Sequence, residues 1–390
     1  MLKERYLTDA VADDLREKMV FVGGARQVGK TTFAANLLGQ RFRSPAYYNW
    51  DNRADRRAIM DSRWPGDAEL IILDEIHKLR GWKNLIKGEY DKLKDTYKFL
   101  VTGSARLDVV RRGGDSLQGR YHYYRLHPFS LPELAGREGV PEPFKEIPVS
   151  ASASRSEFEA LLGFGGFPEP LFKQSDRFLR RWHNEKIERM FRDDIVSIEQ
   201  VRDLGRMKLL SDMLPERVGS LFSTNAARED LESGFKAVSH WLDVLESFYY
   251  HFRIRPYVHR WIRSIKKEPK VYLWDWSEVL DPAARFENMI AGHLLKLCHF
   301  FYDRDGLRAE LSFLRDVDKK EVDFLVTVDR KPWFAVEAKL SDETVSSNLR
   351  YFLDKLKIPF GYQVIRKSGV HSFIRGVRVV SADRFLGGLI

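Results

Sequence analysis

The sequence predicts an α/β protein: a parallel sheet that carries a phosphate-binding loop, then a helical stretch, then a second α/β region. Three observations lead there. The apolar run 19–22 (MVFV) feeds a glycine-rich loop followed by residues of helical pattern. Two further apolar runs, 70–73 (LIIL) and 98–102 (KFLVT), end in polar residues. Such runs suit buried parallel strands, whose C-terminal ends carry ligands. Near the C-terminus, two strand-like runs at 322–328 and 333–340 hold Asp323, Glu337 and Lys339.

Composition sets the limits. A chain of 390 residues suggests two to four domains. Hydrophobic residues at 44% and aromatics at 13% exclude a wholly disordered chain. No apolar run approaches the ~20 residues that cross a bilayer, so no transmembrane helix and no membrane partner are expected. The first residues (MLKERYLTDAVADDLREK) are charged throughout, so no signal peptide is expected there. Cys298 is the single cysteine, which excludes an intramolecular disulfide and a Cys-rich zinc site and fits a reducing cytoplasm. The formal net charge of +9 suits a polyanionic partner.

The loop GGARQVGKTTF places Gly24, Gly29, Lys30 and Thr31 on the pattern G-x-x-x-x-G-K-[ST]. Backbone N–H groups of Gly24, Ala25, Arg26, Gln27, Val28, Gly29, Lys30, Thr31 and Thr32 are expected to wrap the phosphates of ATP. Glycine lets the backbone approach closely, Lys30 neutralises the β- and γ-phosphates, and the Thr31 hydroxyl ligates Mg²⁺. The helix expected over 32–38 aims its N-terminal dipole at the same phosphates. The run 70–73 ends in Asp74 and Glu75. Asp74 is expected to hold Mg²⁺ and Glu75 to polarise the attacking water, which argues for hydrolysis. The run 98–102 leads to Ser104, a candidate sensor of the γ-phosphate. Residues 46–50 and 121–126 supply two more strands. Asp51 is a strand-end residue without an assigned role, and Glu69 and His77 read as surface or packing residues.

GGARQVGKTT, LIILDEIHKLRGW and FLVTGSARLDV, with SLQGRY and HPFSLPEL after them, resemble the AAA+ ATPases of bacteria and archaea that carry a C-terminal domain of uncharacterised function. GFGGFPEP at 163–170 and FRDDI at 191–195 extend the resemblance over the chain. It implies an AAA+ core at 1–148, a helical lid at 149–204, a winged-helix domain at 205–262 and an α/β region at 263–390. It also implies a ring, hexameric by resemblance, in which a neighbour's arginine completes the ATP site. Arg120 is the first candidate for that finger, with Arg111 and Arg112 next. In the winged helix, the third helix, with Lys236, Ser239 and His240, would recognise DNA.

Residues 251–270 hold seven Lys or Arg and one acid, interleaved with Phe252, Tyr257 and Trp261. Basic groups among aromatics suit phosphate contact with base stacking. They suit equally a hairpin whose aromatics face the core.

The C-terminal third opens with an amphipathic helix over 282–300 that holds Glu287. Folding the hairpin between Arg330 and Lys331 sets Asp323 opposite Ala338, or opposite Glu337 after a half-step in register. Glu337 and Lys339, two apart, share a face. Clustered carboxylates repel unless a cation or a proton lies between them. Asp323 and Glu337 are therefore expected to hold Mg²⁺ for phosphodiester hydrolysis, with Lys339 placing the water. Glu287, Asp323 and Glu337-x-Lys339 resemble the PD-(D/E)XK nuclease fold. The expected function is an ATP-driven DNA-processing enzyme acting on duplex or branched DNA and cutting in Mg²⁺. The alternative is an ATP-dependent regulatory switch or defence effector whose winged helix and degenerate nuclease fold bind a protein.

Overall fold

The computed structural model describes residues 3–103, 117–136, 139–149, 154–196, 203–258 and 268–390. The chain is α/β and divides into two compact units, Met1–Pro128 and Phe129–Ile390.

The first unit is built on five strands: β1 (Met19–Gly24), β2 (Ala46–Asn49), β3 (Leu70–Asp74), β4 (Lys98–Thr102) and β5 (Tyr121–Leu126). They lie in the order β2-β3-β4-β1-β5, every neighbouring pair parallel. Met19, Phe21, Ile71, Leu73, Phe99 and Val101 alternate onto one face. There they meet Trp82, Ile86 and Tyr90, spaced four apart on the helix Trp82–Leu93. Val20, Val22, Leu70, Ile72 and Leu100 on the other face are equally buried. Burial on both faces explains why these strands read as unbroken apolar runs. Beyond Gly29 the chain turns helical at Lys30–Thr32 and continues in wider π-type turns over Phe33–Leu38.

The first unit ends earlier than the sequence reading placed it, at Pro128 instead of 148. Residues beyond Pro128 are bound into the second unit. The Ser130 hydroxyl donates to the Ile390 carbonyl at 2.6 Å, the Trp333 indole to the Lys145 carbonyl at 2.8 Å, and the Ile147 amide to the Tyr362 hydroxyl at 2.8 Å. The helices Arg155–Phe164, Pro168–Lys173 and Asp176–Arg189, expected as a lid on the ATPase core, also fall in the second unit. The Trp276 indole, for example, donates to the Leu161 carbonyl at 2.6 Å.

The second unit carries a mixed sheet of eight strands. They are β6 (His251–Pro256), β7 (Lys270–Leu273), β8 (Ala309–Arg315), β9 (Glu321–Val328), β10 (Lys331–Lys339), β11 (Phe360–Ile365), β12 (His371–Ile374) and β13 (Val377–Ser381). The order is β12-β13-β11-β10-β9-β8-β6-β7. Three helices, Leu204–Met213, Thr224–Asp230 and Phe235–Ser247, precede the β6–β7 hairpin. That hairpin is not a separate module: β6 pairs with β8 through Arg255 and Pro256, so the sheet runs across the boundary expected at 262. The helix Pro282–Asp305 has Pro282 in its first turn, and the Asp281 carboxylate accepts from the Ala284 amide at 2.7 Å. Gly306 ends it in a left-handed conformation.

Candidate functional site

Strand ends build the first site. The registers Asn49 to Asp74 and Asp74 to Thr102 line polar residues along the C-terminal edge of the parallel sheet. β1 delivers the loop at the same edge. Gly24 has φ +152°, and a Cβ there would lie 2.5 Å from the Leu126 carbonyl, so only glycine passes β5 at that point. Gly29 has φ +97° and sets the turn into the helix. The Lys30 ammonium, buried, donates to the carbonyls of Gly24 at 3.0 Å and Ala25 at 2.8 Å.

Asp74 is the hub. One carboxylate oxygen, Oδ2, accepts from the Thr31 hydroxyl and from the Tyr47 hydroxyl, both at 2.8 Å. The other accepts from the Thr102 hydroxyl at 2.5 Å. Burial, then the neighbouring Asp74 carboxylate, pushes the Tyr47 phenol well above its usual range, so it stays a donor. Glu75 follows with φ 58°, a left-handed conformation uncommon for a non-glycine residue. Its amide donates to the Thr102 carbonyl at 3.0 Å. Burial raises its carboxyl, and Lys30 and Lys78 oppose that. Lys78 lies 3.2 Å from Glu75 and 2.6 Å from Asp51. Lys78 thus bridges Asp51 to the Glu75 carboxylate. His77, read as packing, is buried with Nε2 3.5 Å from the same Glu75. Tyr47, Thr102 and Lys78 are partners the sequence reading did not assign. Thr102 at the end of its strand, Tyr47 within the strand beside β3, and Lys78 one turn past Glu75 were the available signal.

Ser104, Arg111 and Arg112 lie outside the described residues. Arg120 stands just before β5, and its carbonyl accepts from the Met19 amide at 3.2 Å. It is therefore at the opposite edge of the sheet from the loop, about 16 Å along β1. Its guanidinium grips Asp91 through Nε at 2.7 Å and a terminal nitrogen at 3.0 Å.

The second unit gathers the C-terminal acids. The β9–β10 turn is at Asp329 and Arg330, both with positive φ, one residue earlier than expected. A bulge at Trp333 then shifts the register, so Val336 pairs with Phe324. One step on, Asp323 stands opposite Glu337, the second of the two expected registers. The Ala338 amide donates to Asp323 Oδ2 at 2.9 Å. A further irregularity between β8 and β9 sits beside Asp323. Bulges of this kind re-aim side chains next to functional sites. The Lys339 ammonium lies 2.8 Å from Glu337 Oε1. Glu337 is 6% exposed, and its Oε2 is buried without a hydrogen-bond partner. Burial, reinforced by Asp323, pushes the Glu337 carboxyl up to about 7. The same two causes push Glu287 up to about 7. The Tyr272 hydroxyl donates to Glu287 at 2.6 Å.

One cation inside this cluster was not foreseen. Lys270 was counted in a basic stretch suited to phosphate contact, yet it is 3% exposed. Its ammonium lies 2.8 Å from Glu321, 3.5 Å from Glu287 and 3.7 Å from Asp323. Arg315 also pairs with Glu321. Several of the stretch's other described residues, among them His251, Phe252 and Ile254, are likewise buried. Phe252 stacks on Tyr272 in the core with ring centroids 5.6 Å apart, which favours the core-facing reading for that aromatic. Arg253 is held by Asp243 and Glu246. Arg255 is exposed, and residues 259–267, Trp261 among them, lie outside the described residues. On the helix Phe235–Ser247, Lys236 and His240 are exposed and one turn apart, and Ser239 is half-buried.

Among the described residues, His183, Asp275 and Glu278 are the group of three such side chains whose ligand atoms all lie within 4.8 Å of one another. Glu287, Asp323 and Glu337 do not close to that distance. The first group already holds the Lys186 ammonium, 2.9 Å from Asp275. It is a partly buried, ion-paired cluster that no sequence motif announced.

Residues 16–135 match the family described as "AAA domain". Residues 155–278 and 283–385 match two families described as domains of unknown function (DUF8612 and DUF4143). An uncharacterized protein of Haemophilus influenzae is 22% identical over 387 residues, covering 91% of each chain. An uncharacterized protein of Mycobacterium tuberculosis is 22% identical over 262 residues, 67% of this chain and 55% of its own. Among solved structures, the Thermotoga maritima RuvB Holliday junction branch migration motor is 18% identical over 63% of this chain and 87% of its own, at a TM-score of 0.30. The Bacteroides Pif1 helicase is 15% identical over 32% of this chain and 42% of its own, at 0.23. Superpositions of that extent carry no argument. The family match and the loop geometry do: residues 16–135 are an AAA-type P-loop domain.

Proposed function

We propose that this chain is an ATP-hydrolysing AAA+ motor that binds and remodels or processes DNA, and that its C-terminal acid cluster cuts DNA in a Mg²⁺-dependent step. The observation that carries the motor reading is the Asp74 hub. It ties the loop's Thr31 to β3 and β4 and sets Glu75 beside it. Lys30 neutralises phosphate charge, and Glu75 polarises the water that attacks the γ-phosphate. Thr31 and Asp74 would hold Mg²⁺, whose bound charge offsets that developing on the phosphates. Their hydroxyl and carboxylate, 2.8 Å apart, are hard oxygen donors suited to that ion. Arg120 lies too far from its own loop to complete the site in cis. It supports a homo-oligomer, hexameric by family resemblance, in which the arginine serves a neighbour.

DNA is the proposed partner because the chain carries +9 and exposes Lys236 and His240 on the third helix of a three-helix segment. Three helices followed by a hairpin suit a winged helix. For the cutting step, Asp323 and Glu337 would hold Mg²⁺, and the unsatisfied Glu337 Oε2 fits a cation. Lys339 would position the water. Among the described residues no helix is long and apolar enough to cross a membrane, and the single cysteine, the buried Cys298, suits a reducing cytoplasm.

The test is steady-state ATP hydrolysis in Mg²⁺, alone and with single-stranded, duplex and four-way-junction DNA, across a salt series. Stimulation that fades as salt rises is expected, and the best-stimulating DNA names the substrate class. Turnover indifferent to every DNA would overturn the DNA-coupled motor. It would favour a second reading, an ATP-dependent regulatory switch or defence effector whose degenerate nuclease fold binds a protein. The Lys270 ammonium among the acids favours that reading for the C-terminal site.

A further inference from the structure

We propose that Lys270 is a built-in cation that competes with a divalent metal ion for the Glu287–Asp323 side of the acid cluster; this rests on reading that cluster as a metal site.

The backbone fixes Lys270 where it is. It opens β7, pairs with Ile254 on β6, and bridges to Leu221. Its side chain runs inward past Phe313, with the ammonium 5.7 Å from the ring centroid. A buried ammonium is tolerated only with countercharge, and Glu321, Glu287 and Asp323 supply it. A magnesium-sized ion needs carboxylate oxygens at about 2.1 Å. It would have to draw in the Glu287 and Asp323 oxygens that now face the ammonium. Two cations that draw on the same carboxylate oxygens compete for them and repel each other, so each weakens the other's hold.

The other side of the cluster differs. Glu337 shares its Oε1 with Lys339, while its Oε2 is buried and has no hydrogen-bond partner. That oxygen is the independent sign of a missing positive partner next to Asp323. The cluster thus sets four carboxylates (Glu287, Glu321, Asp323 and Glu337) against Lys270, Arg315 and Lys339. Removing Lys270 leaves the Tyr272 hydroxyl on Glu287 and the Ala338 amide on Asp323, both neutral donors. A divalent ion is the natural replacement.

The experiment uses the full chain, free of nucleotide, and titrates Mn²⁺ alone by calorimetry and by loss of free-ion paramagnetic signal. Lys270→Met is expected to bind Mn²⁺ about tenfold more tightly than the parent, or better. Adding Asp323→Ala to Lys270→Met is expected to remove that gain. Lys270→Gln, which keeps a hydrogen-bonding group without the charge, should shift the same way by less and serves if the methionine variant does not fold. In the unmutated protein, Mn²⁺ should raise acylation of the Lys270 amine by acetic anhydride, read by peptide mass. Unchanged or weaker Mn²⁺ binding in folded Lys270 variants overturns the proposal, as does a gain that survives Asp323→Ala. DNA cutting is not among these readouts. Cleavage undiminished in Asp323→Ala would sink the nuclease reading while leaving the Mn²⁺ comparison standing.

Discussion

The Thr31 hydroxyl donates to Asp74 Oδ2 at 2.8 Å, joining residues 43 apart in the chain. Loop and strand end are thereby one polar unit. Tyr47 and Thr102 hold the same carboxylate from the flanking strands, so its orientation is set before any ligand arrives.

Removing Lys30 tests the nucleotide assignment. Lys30→Ala should abolish ATP binding, seen as lost fluorescence change with a labelled nucleotide. Glu75→Gln should still bind ATP while hydrolysis falls by about 10² to 10⁴, the range for losing a general base. Unchanged turnover in either variant would remove that residue from the chemistry.

Arg120 offers a test that distinguishes a finger from a structural ion pair. Arg120→Ala and Lys30→Ala should each lose turnover as purified proteins. Mixing the two should restore part of it, because one variant supplies intact loops and the other intact arginines. If Arg120 only anchors Asp91, Asp91→Ala should match Arg120→Ala and mixing should restore nothing.

The acid cluster should make stability fall as pH rises. Glu287 and Glu337 titrate near 7 in the folded chain against an ordinary 4.5. Between those values the folded protein keeps protons that the unfolded chain has released. Stability attributable to them is therefore full below about pH 4.5 and is lost through about pH 7, roughly 3 kcal/mol for each taken alone. Urea melts of metal-free protein should show that slope, and Glu337→Gln should flatten it. A slope unchanged by the substitution would contradict the assignment.

His251 should act in the opposite direction. Burial, with Arg253 adding to it, pushes the ring from 6.5 down to about 3, and neither ring nitrogen has a hydrogen-bond partner. As pH falls from about 6.5 toward 3 the unfolded chain gains a proton the folded one refuses, and stability drops. His251→Phe should reduce that acid-side loss and cost little at pH 7, since an apolar ring suits an unpartnered pocket. Strong destabilisation at pH 7 would mean the ring makes an essential polar contact.

The sequence made the parallel strands legible because their burial is two-sided. The runs 70–73 and 98–102 were expected as strands and form β3 and β4. The loop was legible because phosphate binding tolerates few residue types at fixed spacing. What stayed hidden was pairing at a distance. Nothing near Tyr47 announces Asp74, and nothing near Lys270 announces Glu287, Glu321 and Asp323. Local charge counting placed Lys270 in a stretch suited to phosphate contact, whereas its strand position turns it inward. The boundary at Pro128 was hidden for a similar reason. A Pro-rich segment followed by SASASRS looks like a linker, but the segment after Pro128 is fastened within the second unit by hydrogen bonds at Ser130, Lys145 and Ile147 and by the Lys296 ammonium on Glu133.

The bulge at Trp333 is a matter of parity. Without it, the turn at Asp329 and Arg330 would carry its count straight down the hairpin, and Val336 would stand across from Asp323. Glu337 and Lys339 would then project from the far side of the sheet, and an aliphatic chain would sit among the acids. One surplus residue reverses the odd and even positions from there on. The chemical character of that face is therefore encoded ten ångströms or so from the acids, at a tryptophan that touches none of their charges. A deletion at 333 would exchange the two faces of the strand's end while altering no charged residue.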